Sequence, residues 1–314
     1  MEEIMKDTIN EHGKAIPVTG IRIADKRIVI VQRGLVATAR LKDEWYDDIG
    51  DPAIILQELA KCQPVPDLFT FWQRLPDTVP MHPYHREDEA LSAVPLKDFD
   101  HWWKTQINSD ARKKAKRAEK RGVEIRTVAP DDNLVRGLMG IFNETPIRQG
   151  KPYWYYGKNF EDVKEILSRD LEISKFIGAY QGEELVGLAK LNYAGRRFVN
   201  PGIFLTKLEY RREKYLDNAL MAKAIEVSAA DGVSYFAYAN WRRGSHGEFL
   251  RRNGFERTLV PRYWIPLTRK GKLVMSLGFH RELRNRVPGW SYDAFVNVRA
   301  RFYNFKYGVT GDSH

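Results

Sequence analysis

The chain has 314 residues, of which 43 % are hydrophobic and 29 % charged, with a formal net charge of +10. This is a globular composition with enough apolar material for a core, and it excludes a disordered chain, a collagen-like chain and a small disulfide scaffold. The single cysteine, Cys62, excludes an intramolecular disulfide and a cysteine-built zinc site. Residues 1–18 read as a loose arm. From Gly20 to Leu41 the alternation of apolar residues around a turn at Arg33-Gly34 predicts a β-hairpin or strand pair. Ala53 to Lys61 has helical spacing and stops before Pro64-Val65-Pro66. Leu68 to Trp72 reads as a buried strand, Leu75 to His85 as a proline-punctuated loop, and Ala90 to Leu96 as a further strand. Phe99 to Ile107 reads as a short helix with Trp102 and Trp103. The run Asp110 to Gly122 sets seven basic side chains against two acids, and its alanines and closing glycine predict a helix with a glycine C-cap.

A second pattern begins with the strand Val123 to Val128. Asp131 or Asp132 caps a helix through Leu134, Val135, Leu138, Ile141 and Phe142. A polar and aromatic loop spans Thr145 to Asn159, and a second helix runs from Phe160 to Leu171. The apolar runs Lys175 to Tyr180 and Leu185 to Leu191 flank a Gln181-Gly182-Glu183 turn, which is a hairpin signal. Phe198 to Tyr210 is the next strand, interrupted by Pro201-Gly202. The basic loop Arg211 to Leu216 leads into a helix from Asp217 to Asp231. A strand at Tyr235 to Ala239, a short helix ending at Gly254-Phe255 and a strand at Thr258 to Pro266 follow. The remainder reads as two basic helices split near Pro288-Gly289.

The charge is concentrated: residues 241–314 carry 15 Lys and Arg against 5 Asp and Glu, whereas residues 1–240 balance at 36 against 36. The basic end is interleaved with Trp241, Tyr263, Trp264, Trp290, Tyr292, Phe302, Tyr303, Phe305 and Tyr307. Two readings fit: a solvated surface, or a surface for tRNA, DNA or an anionic cofactor. On the second reading Arg112, Lys113, Lys116, Arg117 and Lys120 of the basic helix are the candidate nucleic-acid contacts. No run approaches the ~18–20 apolar residues of a membrane span. Met1 to Asp7 lacks the apolar core of a signal peptide, so a cytoplasmic protein is expected.

The order from Val123 to Pro266, β-α-α-β-β-β-α-β-α-β, resembles the GNAT (Gcn5-related N-acetyltransferase) superfamily. The hairpin "IGAYQGEELVG", the strand, basic loop and helix from Ile203 to Ala230, and Phe249-Leu250-Arg251-Arg252-Asn253-Gly254-Phe255 carry this resemblance. The "HWWKTQI" helix and the run "SDARKKAKRAEKRGVEI" ahead of that domain are similar to FemAB-like proteins. Known members of that branch use aminoacyl-tRNA and build peptide bridges on a cell-wall precursor. The expected fold class is α+β, layered in the α/β manner, with a GNAT-like mixed sheet flanked by helices. Residues 1–107 would form a reduced, β-rich GNAT-like domain and 108–122 a basic linking helix. Residues 123–267 would form the acyltransferase domain and 268–314 a basic helical tail.

The resemblance implies an acyltransferase moving an acyl or aminoacyl group to an amine. Acetyl-CoA or another acyl-CoA is the leading donor, and aminoacyl-tRNA is the alternative. A transferase modifying a DNA base or tRNA, and a non-enzymatic nucleic-acid-binding module, are further readings. By analogy the carrier's pyrophosphate would meet Lys207, Leu208, Arg211, Arg212, Lys214 and Asn218, where helix N-terminal N–H groups favour anions. The family's glycine-bearing loop here reads Arg211-Arg212-Glu213-Lys214-Tyr215-Leu216, without glycine. The amides of Lys207 and Leu208 would polarise the acyl carbonyl. Glu209, at the end of the strand, would be the catalytic carboxylate, with Tyr238 and Asn240 as further candidates because the family's tyrosine position is Leu250. Asn143, Glu144, Arg148, Tyr153, Trp154, Tyr156 and Lys158 would wall the acceptor site, their rings and cations suiting a flat or anionic acceptor. His82 and His85 sit three apart in a loop and no third ligand is evident, so no metal is expected.

Overall fold

The computed structural model describes residues 4–11, 14–148, 151–213, 215–241 and 244–281, together with Arg299, Tyr303 and Lys306. The chain begins with β1 (Ile4–Glu11), β2 (Lys14–Ile23), β3 (Lys26–Arg33), β4 (Val36–Leu41), α1 (Pro52–Leu59), β5 (Leu68–Trp72) and β6 (Arg86–Pro95). It continues with α2 (Phe99–His101), a π turn over Trp102–Gln106, α3 (Ser109–Lys120), β7 (Val123–Val128) and α4 (Asp132–Phe142). Next come β8 (Ile147–Arg148), β9 (Lys151–Pro152), α5 (Phe160–Ser168), β10 (Ser174–Gln181), β11 (Glu184–Ala194) and β12 (Phe198–Thr206). The last elements are α6 (Leu208–Glu213), α7 (Leu216–Ala230), β13 (Tyr235–Asn240), α8 (Gly244–Arg252), β14 (Glu256–Pro266) and α9 (Arg269–Ser276). The chain divides into two compact units, Met1–Glu89 with Leu259–Phe302 and Ala90–Thr258 with Tyr303–His314. The cuts after Glu89 and after Thr258 fall inside strands, β6 and β14, rather than in a linker.

In the first unit the strands lie in the order β1-β2-β3-β4-β5-β14. The loose arm expected over residues 1–18 is instead a strand pair, registered from Ile4↔Ile21 to Glu11↔Lys14. Its backbone groups find partners in β2, and the Asp7 carboxylate is held by Lys42 at 2.7 Å and Arg27 at 2.9 Å. The meander β2-β3-β4 confirms the expected hairpin. A parallel step from β4 to β5 follows, registered Thr38↔Leu68 to Arg40↔Thr70. Helix α1 makes that crossover, started by Pro52 and by the Asp51 carboxylate on the Ala53 N–H. All five residues of β5 are buried, as the unbroken apolar run predicts. The end of β14 pairs antiparallel with β5, from Arg262↔Trp72 to Pro266↔Leu68. Tyr263, read above as part of a basic aromatic surface, is fully buried there, its hydroxyl bonded to Gln73 Oε1 at 3.0 Å. The first basic tail helix is α9, and the second lies outside the described residues.

The second unit repeats this succession in the order β7-β10-β11-β12-β13-β6: an antiparallel meander, one parallel step and one antiparallel strand. Helices α4 and α5 stand between β7 and β10. Only two residues separate β1 from β2, so that helix pair has no counterpart in the first unit, which is thereby a reduced version of the second. Alternate residues of the meander face opposite layers. Phe176, Leu188 and Ile203 pack under α4 and α5, while Ile177, Ala189 and Val199 pack under α7. Asp131 is the cap of α4, accepting from the Leu134 N–H at 2.7 Å. Ala115 and Ala118 of α3 meet Ala219 and Ala222 of α7, and these small residues let the two helices approach closely. The basic side chains of α3 are thereby turned away from the core.

Lys190 of β11 is buried, 3 % exposed, and points under the end of α5, where it donates to the carbonyls of Leu167 at 3.0 Å and Arg169. A cation at a helix C-terminus satisfies orphan carbonyls and suits the dipole. Burial nevertheless pushes its ammonium down to about 8. In the unfolded chain the same group keeps its proton until about pH 10.4. Between those values the unfolded state binds the extra proton, so stability rises with pH through that window. Urea unfolding at about pH 7.5 and about pH 9.5 should show a gain on the order of 2 kcal/mol in the native chain that Lys190→Met lacks.

Candidate acyl-transfer site

β12 and β13 pair in parallel only at Phe198↔Tyr235 and Val199↔Phe236. Beyond those two pairs each strand stays bonded to its outer neighbour, β12 to β11 as far as Thr206↔Gly187 and β13 to β6 as far as Asn240↔Leu91. The two strands therefore open away from each other. Rings meet across the opening: Phe204 of β12 lies 5.9 Å from Tyr238 of β13 and 6.4 Å from Phe249 of α8. Tyr238 lies 5.0 Å from His246. Asn240 is exposed at the end of β13.

β12 ends at Thr206, four residues before the end expected from sequence, and Glu209 to Glu213 belong to α6. Glu209 is consequently an exposed helix residue and not a carboxylate at a strand end. The cause is a carboxylate supplied from elsewhere: Glu144 accepts the Leu208 N–H at 2.8 and 3.0 Å, capping the start of α6. The Lys207 N–H donates to the Val186 carbonyl at 2.9 Å. Both amides expected to polarise an acyl carbonyl are thus already engaged. The Lys207 ammonium pairs with Glu184. Arg211 is ion-paired to Asp217 at 2.9 Å, and Thr206 donates to the same carboxylate. Burial pushes the Asp217 carboxyl up, against the pull of Arg211 and the Thr206 hydroxyl. An internal acid therefore occupies the first turn of α7, where a pyrophosphate was expected. Asn218 is buried in that same turn. Arg212 is part of α6, and Lys214 lies outside the described residues.

The loop that was to wall the acceptor site divides into a structural and an exposed part. Arg148 donates to Glu144 at 2.9 Å, to the Ile141 carbonyl at 3.1 Å and to the Thr206 carbonyl at 3.3 Å. It ties the end of α4 to the end of β12. Asn143 closes the loop by accepting from Gly157 N–H at 2.7 Å and donating to the Lys158 carbonyl at 3.4 Å. The Tyr153 ring packs on Phe142 and under Arg148, and burial pushes its hydroxyl pKa up. Trp154 and Tyr156 remain exposed, with Lys151 over the Trp154 ring at 5.2 Å. Lys158 stands 3.8 Å from Asp162.

Positive charge gathers instead beside the start of α7. Lys114, Arg117 and Arg121, spaced three and four apart along the basic run, all stand over the ring of Tyr215, at 5.5, 5.8 and 5.8 Å. Lys114 has Asp110 as a partner at 2.8 Å. Among the described residues neither Arg117 nor Arg121 has a carboxylate partner. Of the candidate nucleic-acid residues only Arg117 belongs to this group. Arg112 bonds the Trp103 carbonyl at 2.9 Å, Lys116 stands over the Trp103 ring, and Lys113 and Lys120 are exposed. Lys114 and Arg121 were missed; their helical spacing was visible in sequence, but the ring that gathers them was not.

No protein-family model matches the chain, and no curated protein matches it. Solved structures do. The C-terminal domain of a putative lysylphosphatidylglycerol synthetase from Agrobacterium fabrum superposes with a TM-score of 0.52 at 13 % identity, over 80 % of this chain and 84 % of that one. FemX does so at 0.52 and 9 % identity, over 83 % and 88 %. L-PGS from Bacillus licheniformis gives 0.52 at 15 % identity, over 80 % and 84 %. The fold is GNAT-like, in the form shared with FemX. The second unit carries the full GNAT-like strand and helix order and the first a reduced one. The opening between β12 and β13 lies where the resemblance implies a strand divergence, and the turn from Thr206 to Leu216 follows it. The Glu144 carboxylate caps the start of α6 in this unit. Glu144→Ala leaves both the Leu208 N–H and Arg148 short of an acceptor and should cost about 1–3 kcal/mol in urea unfolding. Glu144→Gln, whose amide oxygen still accepts the N–H, should cost less than half as much.

Proposed function

We propose that the protein is an aminoacyl transferase that takes its acyl group from aminoacyl-tRNA and passes it to an amine. The observation that carries this reading is the convergence of Lys114, Arg117 and Arg121 on Tyr215 beside the strand divergence. Three cations around one ring repel one another, and a phosphate chain is the ligand that relieves this. Two features weigh against coenzyme A. Asp217 holds the helix start where a pyrophosphate would bind, and the amides of Lys207 and Leu208 have partners. The FemAB-like resemblance supports the same donor.

In the reaction the acceptor nitrogen attacks the aminoacyl carbonyl carbon. The C–N bond forms, the ester C–O bond breaks, the amine loses one proton to a base, and the leaving ribose oxygen takes one proton from an acid that the base's proton then restores. Tyr238, at the divergence, is the hydroxyl for that leaving oxygen. Asn240 at the end of the same strand would orient the ester, and exposed Glu209 on α6 would take the amine proton.

The test is binding of the full chain to bulk aminoacyl-tRNA and to coenzyme A across a salt series. Saturable tRNA binding that weakens steeply with salt is expected. The combined Lys114→Ala, Arg117→Ala and Arg121→Ala variant should reduce the log–log salt slope by about 2–3. Absence of tRNA binding, or an unchanged slope in the variant, overturns the reading. Saturable coenzyme A binding in its place would return the donor to acyl-CoA.

A further inference from the structure

The histidines left aside on sequence grounds separate in the fold. The His82 ring packs against Phe71 at 5.3 Å and Tyr263 at 5.2 Å as part of the first unit's core. His85 does something different. Folding brings it beside Glu87, two residues on, and His280, which follows α9 and lies 195 positions away in the chain. His280 Nε2 is 2.8 Å and His85 Nε2 3.6 Å from the same Glu87 Oε1, and all three ligand atoms lie within 4.8 Å of one another.

We infer that His85, Glu87 and His280 form a divalent metal site in the first unit, suited to zinc. Two imidazoles and one carboxylate are a ligand set for zinc and other first-row transition ions, whereas magnesium and calcium take oxygen ligands. Zinc bonds of about 2.0–2.2 Å put tetrahedral ligand atoms roughly 3.3–3.6 Å apart, so small side-chain shifts close the site. The three residues are held before any metal arrives. The Trp264 N–H fixes the His85 carbonyl at 2.8 Å, and the Trp264 ring stands 5.1 Å from the His280 ring. The His280 side chain is 2 % exposed, while His85 is 52 % exposed and leaves a way in for the ion and a position for water. Arg281 donates to the same Glu87 oxygen at 2.8 Å. It is half exposed, and it competes with the ion and turns into solvent when the ion binds. The site would clip the turn after α9 to the start of β6, which is a structural role independent of acyl transfer.

The experiment uses the untagged full chain stripped with a chelator and titrated with Zn²⁺ by calorimetry. Co²⁺ absorption reads the geometry, and thermal melting is followed with and without Zn²⁺. One equivalent bound with a rise in Tm is expected. His85→Ala and Glu87→Gln should each weaken binding at least about tenfold. Arg281→Ala should tighten it, a result that other histidines or a damaged fold would not produce. No saturable Zn²⁺ binding overturns the inference, as does binding that His85→Ala and Glu87→Gln leave unchanged. Neither result bears on the tRNA reading, whose residues all lie in the second unit.

Discussion

The parallel contact between β12 and β13 is two residue pairs long, and the organisation of the second unit follows from that brevity. A longer parallel ladder would close the sheet and leave no opening. A strand that loses its neighbour must satisfy its backbone groups elsewhere. β12 does so against β11 and then, past Thr206, through α6. The N–H that begins α6 needs an acceptor, and Glu144 supplies it from a different part of the chain. Arg148 neutralises Glu144 and anchors to the Thr206 carbonyl, so one carboxylate and one guanidinium couple the end of α4 to the end of β12.

Among the described residues, the charges near this turn named above are consumed internally. Arg211 has Asp217, Lys207 has Glu184 and Arg148 has Glu144. The stripe on α3 is different, because Ala115 and Ala118 take its inward face and leave Lys114, Arg117 and Arg121 gathered around Tyr215. Among the described side chains, the cations gathered around a ring lie on the linking helix, while Arg211 of the loop is ion-paired to Asp217.

The two units share one strand succession, and each takes its sixth strand from a distant stretch of chain. β6 precedes the basic helix and serves β13, while β14 follows α8 and serves β5. The element order from Val123 to Pro266 is therefore GNAT-like in sequence even though its last strand is built into the other unit. β14 also carries Arg262, buried between Glu44 and Glu89 at 3.1 and 2.6 Å. Removing one partner of such a buried group would leave the others uncompensated.

Local patterns alone determined much of this protein. The alternation of β3, the unbroken apolar run of β5, a cap at Asp131 or Asp132 and the alanines of α3 are each decided within a few residues, and all were legible. So was the GNAT-like order, which is a sum of such local signals. The tertiary structure decided what depends on partners far apart in sequence. Residues 1–18 look featureless until β2 receives them. Glu209 reads as a strand-end carboxylate until Glu144 turns its segment into a helix. His85 has no company until His280 arrives. Backbone donors, buried charges and metal ligands are satisfied by whatever lies close in space, and sequence distance carries no information about that closeness.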